Sequence, residues 1–406
     1  SVAFTRAFTA AQPVGGTGNL SFTSSGTGAV GVLVLQNDNT YTGTTAVDTG
    51  TLRIGNRTTT GSINAQPVTL ANNGNVQISR SDTYTFPNVI QGTGGVLIGA
   101  NAAVTAPEYD SLVTLTGNST FTGGVTVYSG GLKIQNAAAI GTGNKTITLN
   151  AGTAGRPQFY LDGAAGNITL PVGVNFLTSS SNLSHPAIGN VAGDNVINGN
   201  FTITSGGGST ALSVIGGSLT LNGTFAADTS GRFVILGGNS GAPGTINGVI
   251  GDGTNPLGIV MSGSNTWTLT GTNTYTGTTT VNSGTLLVNG TQNLATGAVT
   301  VAGGTLGGTG TIGGNAADNA GGTLAPGAST GTLNAVNSVT VGGTLGVDVD
   351  GANCDKLVVG STLNISACPN GAPVCSLWQI LGAETPPQYY LSAKAAAGIL
   401  RRAAKR

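Results

Sequence analysis

The sequence predicts an all-β fold, a right-handed parallel β-helix or β-solenoid, followed by a short C-terminal helical tail. Three observations predict it. Gly numbers 70 of 406 residues and charged residues only 7%, against about 25% charge in an ordinary soluble domain. Val, Leu, Ile and Ala come singly between Thr, Asn, Ser and Gly, the pattern of short strands cut by frequent turns. Segments of similar sequence also recur along the chain, the signature of a stacked architecture.

Composition narrows the class further. Zero formal net charge with 38% hydrophobic residues is unlike a chain kept unfolded by self-repulsion, so the protein folds. Collagen is excluded, because no Gly-X-Y period appears and Pro numbers only 14. Clustered Lys and Arg are missing from most of the chain, so nucleic acid is not an expected partner. No run of about 20 apolar residues is present to span a membrane as a helix. Ser1 in place of Met fits a processed protein or a fragment of a larger one.

Three segments align without a gap: 37–56 (NDNTYTGTTAVDTGTLRIGN), 117–136 (GNSTFTGGVTVYSGGLKIQN) and 271–290 (GTNTYTGTTTVNSGTLLVNG). They share an aromatic residue (Tyr41, Phe121, Tyr275) and a first glycine (Gly43, Gly123, Gly277). A Val (Val47, Val127, Val281) and a second glycine (Gly50, Gly130, Gly284) follow, then Leu52, Leu132 and Leu286, then Ile54, Ile134 and Val288. Weaker versions recur at 145–152, 217–223, 297–310 and 338–349. In such strands residues two apart share a face, which puts Leu286 and Val288 inward and Leu287 and Asn289 outward.

A single coil supplies too few inward side chains to stand alone. Burying a Val or Leu contributes about 1.5–3 kcal/mol, while ordering each residue costs about 1–2 kcal/mol. Stacked coils solve this, since each covers the next. With coils of roughly 20–25 residues, residues 1–365 make on the order of fifteen. The competing architecture is an antiparallel sandwich or a string of Ig-like modules. Against it stand the missing Cys-Trp-Cys pattern and the scarcity of charged outward positions.

The repeated residues resemble the autotransporter-associated β-strand repeat family, with its Asn-x-Tyr-x-Gly-x-Thr-x-Val-x-x-Gly-x-Leu-x-Val-x-Asn pattern. Segment 271–290 follows it almost throughout, and the clear matches cover about a third of the chain. Residues 321–335 and 343–365 are similar to the closing stretch of such passengers, with Pro326, Gly327, Asp355 and Leu357 in the motif positions. The central region 150–260 reads only as generically β-helical. The resemblance implies a β-helical passenger exported across the outer membrane or displayed at the cell surface. It implies no reaction. No run of alternating amphipathic strands resembling a translocator barrel follows.

The chain divides on this reading into a stalk (1–365), a capping segment (366–383) and a basic tail (384–406). Within CPNGAPVC, Cys368 and Cys375 could close a small disulfide loop in an oxidising compartment, leaving Cys354 over; packed reduced thiols are the alternative. The tail carries five basic residues and no acid over 391–406. Ser392 is its candidate N-cap, and Leu391, Ala395, Ile399 and Ala403 form one stripe.

Sites of chemistry are sparse. His185, the one histidine, has no motif partner and reads as a surface-loop residue. Asp228 and Asp252, separated by one coil's length of chain with Arg232 nearby, are the best candidate acid pair for glycoside hydrolysis on neighbouring coils. The plainer reading is two turn aspartates accepting local backbone hydrogen bonds. Asp348, Asp350, Asn353 and Asp355 are an oxygen-rich cluster that reads as a solvated edge before it reads as a calcium loop. No catalytic residue, metal ligand or cofactor is assigned. The function expected is an extracellular structural or adhesive stalk, not an enzyme. Its partners would be a cell-surface or matrix polysaccharide or protein, with end-to-end self-association through exposed strand edges. The alternatives are a polysaccharide hydrolase or lyase of tail-spike type and a subunit of an extracellular filament.

Overall fold

The computed structural model describes residues 8–24, 31–100, 111–150, 156–179, 181–204, 209–327, 329–350 and 353–365. The helix expected over 384–406 and the Cys368/Cys375 loop lie outside them. The described residues form short strands and one 3-10 turn, Ala137–Ile140.

Almost every strand pairs in parallel with one a coil further on. An 11-stranded sheet begins at Phe8–Ala10 and ends at Ile250–Gly253, and a 13-stranded sheet begins at Thr83–Phe86. A 9-stranded sheet runs from Thr169–Leu170 to Thr344–Leu345. Two 4-stranded sheets cover the third side near either end, Leu20–Thr23 to Ile90–Gly92 and Thr291–Gln292 to Lys356–Val359. In mid-chain one coil gives a strand to each large sheet: Phe201–Ile203, Thr210–Val214 and Ser218–Leu221. The next gives Phe225–Ala227, Arg232–Gly238 and Gly244–Ile246, with Phe201 opposite Phe225 and Leu212 opposite Leu236. The antiparallel sandwich is thereby excluded. Among the described strands the one antiparallel pair is the small hairpin Val349–Asp350/Asn353–Cys354.

Alternation decides which side chains enter the core. Trp267, Leu269, Leu286 and Val288 are 0–2% exposed, while Thr268 and Leu287 between them are half-buried. One apolar column of Val, Leu, Ile and Phe runs from Phe22 to Val341. Coil length varies: the stretch of chain from Val299 to its register partner Ala316 is short, whereas that from Thr83 to its partner Leu112 is much longer.

The central region is more regular than its sequence suggests. Phe176, Phe201 and Phe225 stack in register with ring centroids 5.0 and 4.5 Å apart and interplanar angles of 13° and 6°. Offset aromatic contacts of this kind add about 0.5–1.5 kcal/mol beyond burial. At a neighbouring corner Asn222 donates to Asn198 Oδ1 (2.7 Å), Asn247 to Asn222 Oδ1 (2.8 Å) and Thr270 to Asn247 Oδ1 (2.6 Å). Each amide accepts from the coil above, so the corner is zipped along its length.

Candidate functional site

The three aligned segments are each one short coil. Leu33 faces Leu52, Val113 faces Leu132 and Trp267 faces Leu286, and the interval along the chain is the same in all three. Within each coil the chain turns inward on its aromatic residue. The N–H groups of Thr40 and Tyr41 both donate to Val14 O, those of Thr120 and Phe121 to Ile90 O, and those of Thr274 and Tyr275 to Ile250 O. The preceding coil's own N–H is then taken by a buried polar side chain. Val14 donates to Asn39 Oδ1 (2.8 Å), Ile90 to Ser119 Oγ (3.0 Å) and Ile250 to Asn273 Oδ1 (2.8 Å). The repeat's Asn thus replaces a hydrogen bond that the turn breaks.

Both glycines of the repeat have a geometric cause. A Cβ on Gly43, Gly123 or Gly277 would overlap backbone of the coil beneath. Gly50, Gly130 and Gly284 hold φ of 89°, 69° and 66°, where an L side chain is strained.

The aromatic side chain and the residue four further on are matched. The Tyr41 and Thr45 hydroxyls lie 2.6 Å apart, and those of Tyr275 and Thr279 lie 2.7 Å apart. Where the aromatic is Phe121 the partner position is Val125, and both are fully buried. Burial pushes the Tyr275 phenol up to about 12 even against its Thr279 hydrogen bond. Over Phe121 the next coil places Lys145 instead, its Nζ 4.2 Å from the ring centroid. That ammonium donates to Phe121 O (2.9 Å) and Ile140 O (2.6 Å), and burial lowers its pKa to about 8.

Outward, the coils present ranks of neutral hydroxyls. Thr266, Thr285, Thr305, Thr323 and Thr344 are consecutive register partners on the 9-stranded sheet. Successive rungs lie about 4.8 Å apart. Beside them run Thr268, Leu287, Gly307 and Ala325, so two neighbouring ranks carry no charge.

The candidate chemical residues are placed as follows. Asp252 accepts from the Thr276 N–H and hydroxyl (both 2.7 Å) and from the Leu257 N–H (3.1 Å). Burial pushes its pKa up, but those hydrogen bonds outweigh it and hold the carboxyl below its ordinary range. Asp252 therefore braces the following coil. Asp228, just beyond Phe225–Ala227 on the preceding one, accepts from the Thr229 hydroxyl. Arg232 is buried at the start of its strand. Asp252 sits within the strand Ile250–Gly253 and takes one nearby backbone N–H, that of Leu257, while Asp228 accepts a side-chain hydroxyl rather than a backbone bond.

Asp355 accepts from Gly331 N–H (2.7 Å) through Oδ1 and from Asp348 N–H (2.9 Å) through Oδ2. Its carboxylate ties the turn after Pro326-Gly327 to the following hairpin, which explains why the two halves of the closing motif occur together. Asp350 and Asn353 are hairpin partners, and Cys354 is a free thiol. Among the described residues no group of three His, Cys, Asp or Glu side chains is arranged to hold a metal. His185 closes a turn with Asn182, and its Nδ1 lies 3.3 Å from Arg156 Nη1.

Comparison with known proteins agrees with this geometry. The passenger-associated-transport-repeat family matches residues 27–54, 113–134 and 259–288, each spanning an aromatic turn or its flanking strands. Similarity also extends to the adhesin BmaC autotransporter of Brucella suis biovar 1 (strain 1330), 50% identical over 70 residues. Those residues are 17% of this chain and 2% of that protein, so the chain spans a small part of its relative's length. No solved structure matches the chain. The chain thus carries three passenger-associated-transport repeats, folded as coils of a parallel β-solenoid.

Proposed function

We propose that this chain is part of an adhesive passenger displayed at a bacterial cell surface. The observation that carries the reading is the family match on segments that fold as whole coils, together with the similarity to an autotransporter adhesin. The structure supplies a physical means. Laddered backbone bonds and a continuous apolar column make a stiff support. Its neutral Thr and Asn ranks offer many weak hydrogen bonds without a field that repels a charged cell surface. We assign it right-handed winding, as parallel β crossovers prefer. Residues 1–365 are the stalk, 366–383 a cap and 384–406 a basic tail that is separate in character.

Display of the chain on a non-adherent bacterium tests this. Attachment to host-cell monolayers or polysaccharide-coated surfaces above the level of cells displaying an unrelated β-solenoid is expected. Equal attachment of the two would refute the adhesive role.

A further inference from the structure

The outer face of the 13-stranded sheet carries a groove of about 340 Å³, lined by Lys133, Gln158, Tyr160, Ser184 and His185 among others. Tyr160 is the outward residue at the middle of Gln158–Asp162, opposite Lys133 on one neighbouring strand and Gly189 on the other. A Cβ on Gly189 would overlap the ring, and one on Gly131 would lie 3.2 Å from its other edge. The ring is thus seated between the two glycines, one edge over Gly189 and the other beside Gly131, and it lines the groove. Its hydroxyl donates to the Gln158 side chain, which fixes it in that pose.

The rim is polar and held in place. Lys133 Nζ lies 3.2 Å from Asp162, whose carboxylate also accepts from Gln135. His185 is set by its contact with Arg156 and by Asn182 Oδ1, which accepts from the His185 N–H. A flat aromatic face ringed by ammonium, carboxamide, imidazole and hydroxyl groups suits a pyranose. The sugar's C–H face packs on the ring while its hydroxyls exchange hydrogen bonds with the rim. Nucleic acid fits less well, because Lys133 is already neutralised by Asp162 and the other lining residues are mostly uncharged.

We infer that this groove binds a pyranose unit of a surface polysaccharide, with Tyr160 as the stacking platform. The inference rests on the adhesive reading and names the ligand class for it. Phe233 is an internal control. It also lies over a glycine, Gly258, on the same sheet, but it does not line the groove.

Saturation-transfer NMR on the full chain, with oligosaccharides of N-acetylglucosamine, galactose and galacturonate, tests it. Irradiating aromatic protons should transfer magnetisation to pyranose ring protons of at least one sugar. Tyr160→Leu, which still covers Gly131 and Gly189, should weaken that sugar's binding about tenfold or more, and Phe233→Leu should leave it unchanged. Ser184→Trp, which fills the groove from the loop without altering a strand, should abolish it. Wild-type affinity in either folded groove variant overturns the inference, as does silence from the whole panel. Cells that still attach while the purified chain ignores every sugar would sink the groove alone. Cells that fail to attach while the sugar response persists would sink the adhesive role alone.

Discussion

The Tyr275 and Thr279 hydroxyls meet at 2.7 Å inside the core, and in the equivalent coil their places are taken by Phe121 and Val125, both fully buried. The two positions change together because a buried hydroxyl without a partner costs more than no hydroxyl at all.

A double-mutant cycle makes that relationship measurable. Thr279→Val leaves the Tyr275 hydroxyl only the longer contact to Gln292 Oε1 at 3.4 Å. The expected loss is about 1–3 kcal/mol. Adding Tyr275→Phe, which copies the 121/125 pair, should recover most of it. Urea denaturation of both single variants and the double would show this, and simple additivity would contradict it.

Leu286→Asp is expected to unfold more than its own coil. Leu286 is fully buried between its register partners Trp267 and Leu306, so an aspartate there strands a charge in the column. The melting midpoint should fall steeply, and amide exchange should quicken in Thr266–Leu269 and Thr305–Gly308 as well. An unchanged melting curve would rule out the stacked-coil account of stability.

Asp355→Ala should loosen the closing motif without disturbing the first coils. It strips the Gly331 and Asp348 N–H groups of a charged acceptor, with each such hydrogen bond contributing about 1.5–3 kcal/mol. Amide exchange is the readout: residues 329–335 should lose protection while 45–58 keep theirs. Equal protection of 329–335 in variant and wild type would contradict the bracing role.

Much of this was legible from the residues. The repeat's aromatic, both glycines and the inward Leu and Val positions can be read by aligning three segments, because each is fixed by a local need of the backbone or the core. The pairing of Tyr41 with Thr45 is hidden in any single segment and emerges only when columns four apart are compared. The Phe176, Phe201 and Phe225 stack was missed for a different reason. Its period is longer than that of the family coil, and loops of unequal length obscure it. The groove lined by Tyr160 could not be found this way, since it depends on which strands become neighbours across coils longer still.

Lys145 gives the fold a pH dependence whose sign can be worked out. Its ammonium titrates near 8 when folded, against 10.5 ordinarily. Between those values the unfolded chain keeps a proton that the folded chain has released, so stability rises with pH across that window. Below about pH 8 the folded state bears the full cost of the buried charge, up to about 3 kcal/mol. The buried tyrosines act the other way. Tyr41 and Tyr84 are raised by burial and Tyr275 reaches about 12. Unfolded phenols therefore ionise first above about pH 10, and stability falls. Urea midpoints should climb from pH 7 to a maximum near 10 and then drop. Lys145→Met, which removes the charge but keeps a long apolar stem over Phe121, should flatten the climb and leave the drop. Parallel curves for the two proteins would show that Lys145 is not the group responsible.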